Sequence, residues 1–420
     1  MNTIYLDNNA TTQVAQEALA FMMPYFREFY GNPSSMHTFG GQVVQKIRTA
    51  RERVAALLGA MPEEIIFTSC GTESDNAAIR SALMTRPDKK HIITSRVEHP
   101  AIRALCAHLA TQGYRVTELP VDKNGLLDLE NLEKNMTSDT AVVSLMWGNN
   151  ETGVIFPVEA AARLAHEKGI LFHTDAVQSA GKIPINMKNN VIDMLSISGH
   201  KLHAPKGIGV LYIRRGTKFS PFMIGGHQEK ERRGGTENTP SVIGLGKACE
   251  LAAKNMEKEN TYVARLRDKL ERELLKRIPQ SRVNGDTANR LPNTTNISFE
   301  YVEGEAILLL MNELGICASS GSACTSGSLQ PSHVLRAMGV PFTMAHGSIR
   351  FSLSINNTEA EIDFVIDKMP AIIERLRGMS PYWNSSQPAC TVRFQDSGAR
   401  GQVFCRSLIH IRGKKYDEAV

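Results

Sequence analysis

Residues 319–328 read SSGSACTSGS, which sets the thiol of Cys324 in a stretch with nothing bulkier than threonine. A structural cysteine is usually buried among branched aliphatics, where it behaves as a small hydrophobe. Cys324 lacks that company, and the run of Ser and Gly predicts a mobile, solvated loop. Its thiol is either incidental or meant to move. The segment SGHK (198–201) follows an apolar run, which places Lys201 at a strand's carboxyl edge, where open α/β sheets bind ligands. GILFHTD (169–175) ends another strand at Asp175, with Gln178 three residues on. A lysine and an aspartate on neighbouring strand ends can form a plain salt bridge. They can equally bind pyridoxal phosphate, the amine joining its aldehyde while the carboxylate keeps the pyridine nitrogen protonated.

Other residues offer the same choice between structure and chemistry. SCGTESDNAAIRSAL (69–83) follows the run EIIFTS and opens a helix at Gly71-Thr72. Free amides there can seat a phosphate or can simply be capped. Ser198 and His200 could add donors to the same phosphate. His99 in VEHPA is a core histidine, a ring to stack on a flat ligand, or a proton shuttle. NNETG (149–153) is a turn, or brings Asn149 and Asn150 to a ring hydroxyl. Arg350 stands within the apolar HGSIRFSLS (346–354), where an unpartnered guanidinium would be costly. Its planar fork suits a carboxylate, either an internal Asp or Glu or that of a bound amino acid.

The elements that must position these residues alternate helix with strand. From about 14 to 260, QVVQKIRTARERVAALLG has helical spacing. The strands are EIIFTS, HIITS (91–95), AVVSLMW (141–147), GILFHTD, DMLSISG (193–199) and GIGVLYI (207–213). Several are continuously apolar, as for strands buried on both faces of a mostly parallel sheet. The reading is an α/β large domain over 14–260. Residues 1–13 and 261–383 form a smaller α+β domain, opening with a charged helix over 259–278. A linker at 384–388 leads to a tail through residue 420 with a weak strand-like run at 402–412.

Bulk properties exclude several classes. The 420 residues are 42% hydrophobic and 22% charged with a net charge of +5, so neither wholesale disorder nor a nucleic-acid partner is expected. No apolar run reaches the ~18–20 residues that span a bilayer. The opening MNTIYLDNNATT lacks the regions of a secretory signal, and seven cysteines without a CxxC pair argue against disulfides or a zinc site. A cytoplasmic protein without membrane or nucleic-acid partners is expected.

The motifs together resemble the class V aminotransferase-like, fold-type I pyridoxal phosphate enzymes, and among them the NifS-type cysteine desulfurases. YLDNNATT (5–12), FYGNPSS (29–35), FTSCGTESD (67–75), EHPA (98–101), NNETG, FHTDAVQ (172–178), SGHKLHAPKG (198–207), GGHQEKERRGGTEN (225–238), EGEAILLL (303–310) and SSGSACTSGS follow that family's order over about residues 1–383. The resemblance implies the fold-type I architecture with a seven-stranded sheet. It implies that Lys201 is the coenzyme's lysine, Asp175 the partner of its ring nitrogen and His99 the stacking ring. Asn150 and Gln178 would bond the hydroxyl side. Gly71, Thr72, Ser198 and His200 would hold the phosphate, with Gly199 in the same cofactor-binding set. Thr236 would reach the phosphate of a second subunit, making a homodimer. Arg350, assisted by Asn150, would bind the carboxylate of L-cysteine.

On this reading freed Lys201 takes the Cα proton, and Cys324 attacks the substrate's sulfur. Alanine leaves and a persulfide remains on the protein. His99 or the substrate would activate the thiol. The persulfide would pass to an iron–sulfur scaffold protein and transiently ligate a nascent cluster. GSACTSGSLQPSH and SPYW suggest the nitrogen-fixation branch. Two alternatives remain: an aminotransferase or β-lyase with an incidental Cys324, and a non-catalytic sulfur carrier that keeps the fold.

Overall fold

The computed structural model describes residues 3–320 and 331–383. Cys324 and the tail with Cys390, Cys405 and the run at 402–412 lie outside them. The chain begins with a short strand, β1 (Ile4–Tyr5). It then builds a large sheet from β2 (Ile65–Thr68), β3 (His91–Ser95), β4 (Arg115–Leu119), β5 (Thr140–Met146), β6 (Leu171–Asp175), β7 (Met194–Ser198) and β8 (Gly209–Ile213). Among the described residues this sheet has seven strands in the order β2-β8-β7-β6-β5-β3-β4. Those from β7 to β4 run parallel, and β8 is antiparallel to both of its neighbours. The architecture is thus α/β with a mostly parallel sheet.

Side-chain alternation explains the layering. Ile65, Phe67, Ile93, Val143, Phe172, Leu195 and Val210 join one apolar cluster. Their immediate neighbours Ile66, Ile92, Val142, Leu171, Met194 and Leu211 join another. Successive strand residues point to opposite faces, so each continuously apolar run feeds two layers. β4 is the strand that the reading of the sequence did not assign. It stands at the sheet's edge, and Leu119 is its one buried residue, so its apolar signal is weak.

The charged helix expected to start at 259 begins twenty residues earlier. It runs over Thr239–Lys258, makes one π turn at Glu259–Val263 and continues over Ala264–Arg277. Gly244 and Gly246 hid its first half, because glycine costs ~1 kcal/mol against alanine inside a helix. Close packing requires it here: a Cβ on Gly246 would lie 2.5 Å from Ala50 Cα in the helix Val44–Leu58.

The remaining strands are β9 (Ser281–Val283), β10 (Thr294–Phe299), β11 (Ile316–Cys317), β12 (Ser319–Ser320) and β13 (Ser348–Ser352). β12-β13-β10-β9 form an antiparallel sheet, and β1 pairs in parallel with β11. Ile297, Phe299, Ile349 and Phe351 pack there against Leu266, Leu270, Leu274, Ile362 and Met369. Ile4 and Leu6 belong to the same cluster, which fixes the segment that follows them. Within this sheet Arg350 lies across from Asn296 on one side and Ser319 on the other.

Candidate active site

The turns after β2, β3, β5, β6 and β7 meet at one edge of the large sheet and enclose a cavity of about 440 Å³. Asp7, Asn9 and Ala10 close it from the chain's start, Ser319 and Arg350 from the small sheet. The register of parallel strands therefore gathers residues that are far apart in sequence.

The helix Gly71–Met84 starts at this wall, and its N-cap Cys70 makes no side-chain capping bond. The first amides of a helix have no intrahelical acceptor and carry partial positive charge. Gly71 and Thr72 therefore present donors to the cavity. A Cβ on Gly71 would fall 2.8 Å from Val177 Cγ2, so the approach of the two turns requires glycine. Ser198 and His200 line the cavity as well. Gly199 does not: its amide bonds Ile208 O at 2.9 Å, and a Cβ there would meet Ile208 Cγ2 at 2.7 Å. Its place is in the packing beneath the wall.

Asp175 ends β6, is buried, and accepts the amide of Val177 at 2.9 Å. Burial raises its carboxyl above the ordinary range, opposed by His99, the Val177 amide and Lys201. His99 caps the helix Pro100–Thr111, and its Nδ1 accepts the Ala101 amide at 3.2 Å. Burial lowers its pKa, with Lys201 acting in the same sense and Asp175 against. In the neutral ring the proton consequently sits on Nε2. His200 is likewise lowered to about 4, mainly by burial, and its Nδ1 lies 3.2 Å from Thr11 Oγ1.

Lys201 Nζ donates to the carbonyl of Asn9 and, at 2.7 Å, to that of Ala10. Gln178 Nε2 reaches the same Asn9 carbonyl at 3.0 Å. Asn9 is itself anchored to Thr294 Oγ1 at 2.8 Å and to the Asn150 carbonyl at 3.2 Å.

The two asparagines of NNETG divide the roles that the sequence left open. Asn149 Oδ1 takes the amides of Glu151 and Thr152, each at 2.9 Å, and makes the turn. Asn150 lines the cavity, and its carbonyl accepts Arg350 Nη1 at 2.9 Å. Arg350 Nη2 meets Asp7 Oδ1 at 2.8 Å. Thr236 stands apart from this cavity, in a depression shared with Ser69, Glu229 and Arg233. Cys324 lies outside the described residues.

Reasoning from sequence missed several lining residues: Asp7, Asn9, Cys70 and Asp75. The polar run DNNATT directly after IYL was the available signal for the first two. Asp75, the seventh residue of SCGTESDNAAIRSAL, is fully buried, and its carboxyl is driven well above its usual range by burial and by Asp175. In the sequence this motif points to a phosphate alone.

Comparison with known proteins decides the family. The description Aminotransferase class-V matches residues 4–365. A "Cysteine desulfurase" of Trichormus azollae is 62% identical over 384 residues, covering 91% of this chain and 96% of its own. "Cysteine desulfurase NifS" of Azotobacter vinelandii is 60% identical over 389 residues, covering 92% and 97%. A solved structure titled "NIFS-LIKE PROTEIN" superposes with a TM-score of 0.84 at 39% identity, over 89% of this chain and all of its own.

The chain belongs to the class V aminotransferase family, among its NifS-type members. It is a fold-type I enzyme that uses pyridoxal phosphate, and the cavity has the groups to receive it. The helix Gly71–Met84 starts with open amides, Asp175 holds a buried carboxyl and Lys201 an amine, groups of the kind that such a coenzyme's phosphate, ring nitrogen and aldehyde would take. Gln178 Oε1 is buried without a hydrogen-bond partner among the described residues, which is rare unless a ligand or water supplies one. In this NifS-type chain, then, amide, carboxyl, imidazole and amine converge on one space, with an arginine at its small-sheet end.

Proposed function

We propose that this enzyme removes sulfur from L-cysteine, releasing L-alanine and leaving a persulfide on Cys324. The name carried by its relatives supports the substrate. The observation that carries the reading is that Lys201, Asp175, His99 and Arg350 line one cavity. Bound pyridoxal phosphate supplies an electron sink that lets the substrate's Cα proton leave and its carbon–sulfur bond break.

This chain's residues do the rest. Gly71, Thr72, Ser198 and His200 hold the phosphate, Asp175 faces the ring nitrogen, and Asn150 and Gln178 serve the hydroxyl side. Arg350 receives the substrate's carboxylate through guanidinium hydrogens not used by Asp7 and Asn150. Lys201 Nζ takes the Cα proton, and His99 moves a proton at Nε2. The Cys324 thiolate attacks the substrate's sulfur, the carbon–sulfur pair stays with carbon, and a proton completes alanine. One thiol and cysteine thus become one persulfide and alanine, without net oxidation.

The persulfide sulfur then passes to an iron–sulfur scaffold protein, in nitrogenase metallocluster maturation, with Cys324 a transient ligand to the forming cluster. Two chains act together in the cytoplasm, Thr236 of each serving the other's phosphate site. Residues 14–260 carry the coenzyme, and 1–13 with 261–383 carry Arg350 and Cys324.

The test supplies L-cysteine and measures alanine and protein-bound persulfide in parallel. Equal amounts of both are expected, and Cys324→Ala should keep its bound, coloured coenzyme while losing sulfide release. Pyruvate without persulfide would instead make the enzyme a β-lyase. Undiminished sulfide release from Cys324→Ala would assign the acceptor role to another thiol.

A further inference from the structure

Two acids that line the cavity, Asp7 and Asp75, have no task in the reading above, and Asp7 is the one that meets Arg350. Asp7 leaves β1 beside the small sheet and turns its carboxylate toward Arg350. Its Oδ1 lies 2.8 Å from Arg350 Nη2 and accepts a second hydrogen bond from Ser319 Oγ at 2.8 Å. Asn150 O holds Nη1 at 2.9 Å. The guanidinium side chain is 7% exposed and that of Asp7 17%, and both line the space that a ligand would enter.

Each terminal nitrogen of arginine carries two hydrogens. Asp7 and the Asn150 carbonyl take one apiece, and Nε is buried without a partner among the described residues, so three of the five N–H groups remain for a two-point bond with a carboxylate. A carboxylate docked there must share its cation with Asp7, and the two anions repel.

We infer that Asp7 is a positioning and specificity-determining residue for the amino-acid substrate. It fixes Arg350 so that one carboxylate-sized edge is offered, and its charge penalises any further anionic group at this end. The favoured ligands are L-α-amino acids with uncharged side chains. This inference rests on Arg350 as the carboxylate receptor.

Its test is calorimetric titration of the coenzyme-loaded protein with L-alanine and with L-aspartate, alongside KM and kcat for L-cysteine. The wild type should bind L-aspartate more weakly than L-alanine; equal affinities would overturn the inference without any variant. Asp7→Asn keeps an oxygen that can accept from both Arg350 and Ser319 but removes the charge. It should tighten L-aspartate by about tenfold, and L-alanine by less. Asp7→Ala removes the holder as well and should raise KM. Identical behaviour of the two variants would reduce Asp7 to a structural part. Arg350→Ala separates the two readings. If it abolishes L-alanine binding while Asp7→Asn changes nothing, the Asp7 inference fails alone. If it leaves L-alanine binding intact, the assignment of Arg350 fails, and the inference with it.

Discussion

At one end of the cavity lie Asp175 and Asp75, with Glu98 buried nearby, and burial pushes all three carboxyls toward their protonated forms. At the other end Arg350 meets Asp7 at 2.8 Å and the Asn150 carbonyl at 2.9 Å. The first region settles its charge by gaining or losing protons, the second by a fixed ion pair. Removing a charged group from the protonic end should therefore act on turnover and on pH dependence. Removing one from the ion-paired end should act on substrate binding.

The largest effect is expected at Lys201. Its amine is held by the carbonyls of Asn9 and Ala10, groups that solvent can satisfy once the lysine is gone. Lys201→Ala should fold and yet lose roughly 10²- to 10⁴-fold in kcat, the usual share of a positioned proton-transfer group. Alanine release from L-cysteine measures it. A variant with a raised KM and normal kcat would break the division between the ends.

Arg350→Lys comes next and should show the opposite pattern. Lysine keeps the charge but loses the planar fork, so it cannot serve Asp7, the Asn150 carbonyl and a carboxylate together. Hydrogen bonds to charged groups contribute ~1.5–3 kcal/mol, which corresponds to about a 10- to 100-fold rise in KM, with a smaller change in kcat. A drop in kcat at constant KM would move Arg350 into the chemistry and erase the contrast.

The two ends also differ in how far the sequence disclosed them. At the protonic end each residue sits just after a buried apolar strand, so FHTD, SGHK and VEHP each join a position in the sheet to a reactive side chain within a few residues. Such short-range syntax survives in a linear reading. Asp75 and Glu98 escaped it because their significance is burial next to Asp175, a distance that only the folded sheet creates. At the ion-paired end Asp7, Asn150, Ser319 and Arg350 come from four separate stretches. Arg350 stood out as a cation in an apolar strand, but which acid or ligand answers it depends on β1 pairing with β11 and on β12 pairing with β13. The fold was more legible than either end, since continuous apolar runs specify buried parallel strands. The exceptions were the edge strand β4 and the glycine-bearing start of the helix Thr239–Lys258, where solvent exposure and close packing override apolar pattern and propensity.

The smallest expected effect tests the protonic end away from the substrate. Glu98 is fully buried, its Oε1 accepts Ser95 Oγ at 2.6 Å and the Met146 amide at 3.1 Å, and its Oε2 has no partner among the described residues. Burial raises its carboxyl from 4.5 to about 8, against the pull of those two hydrogen bonds. The folded protein therefore keeps a proton that the unfolded chain gives up near 4.5. The stability from this group is complete below that pH and drains away as pH climbs to about 8, at a slope of at most ~1.4 kcal/mol per pH unit. Glu98→Gln keeps the accepting oxygen and cannot ionise, so it should lose this slope. Urea unfolding at the two limits measures it: relative to wild type, the variant should gain stability at the alkaline limit. A difference between the two proteins that stays constant with pH would mean that Glu98 is ionised in the fold, and that this end, like the other, holds fixed charge.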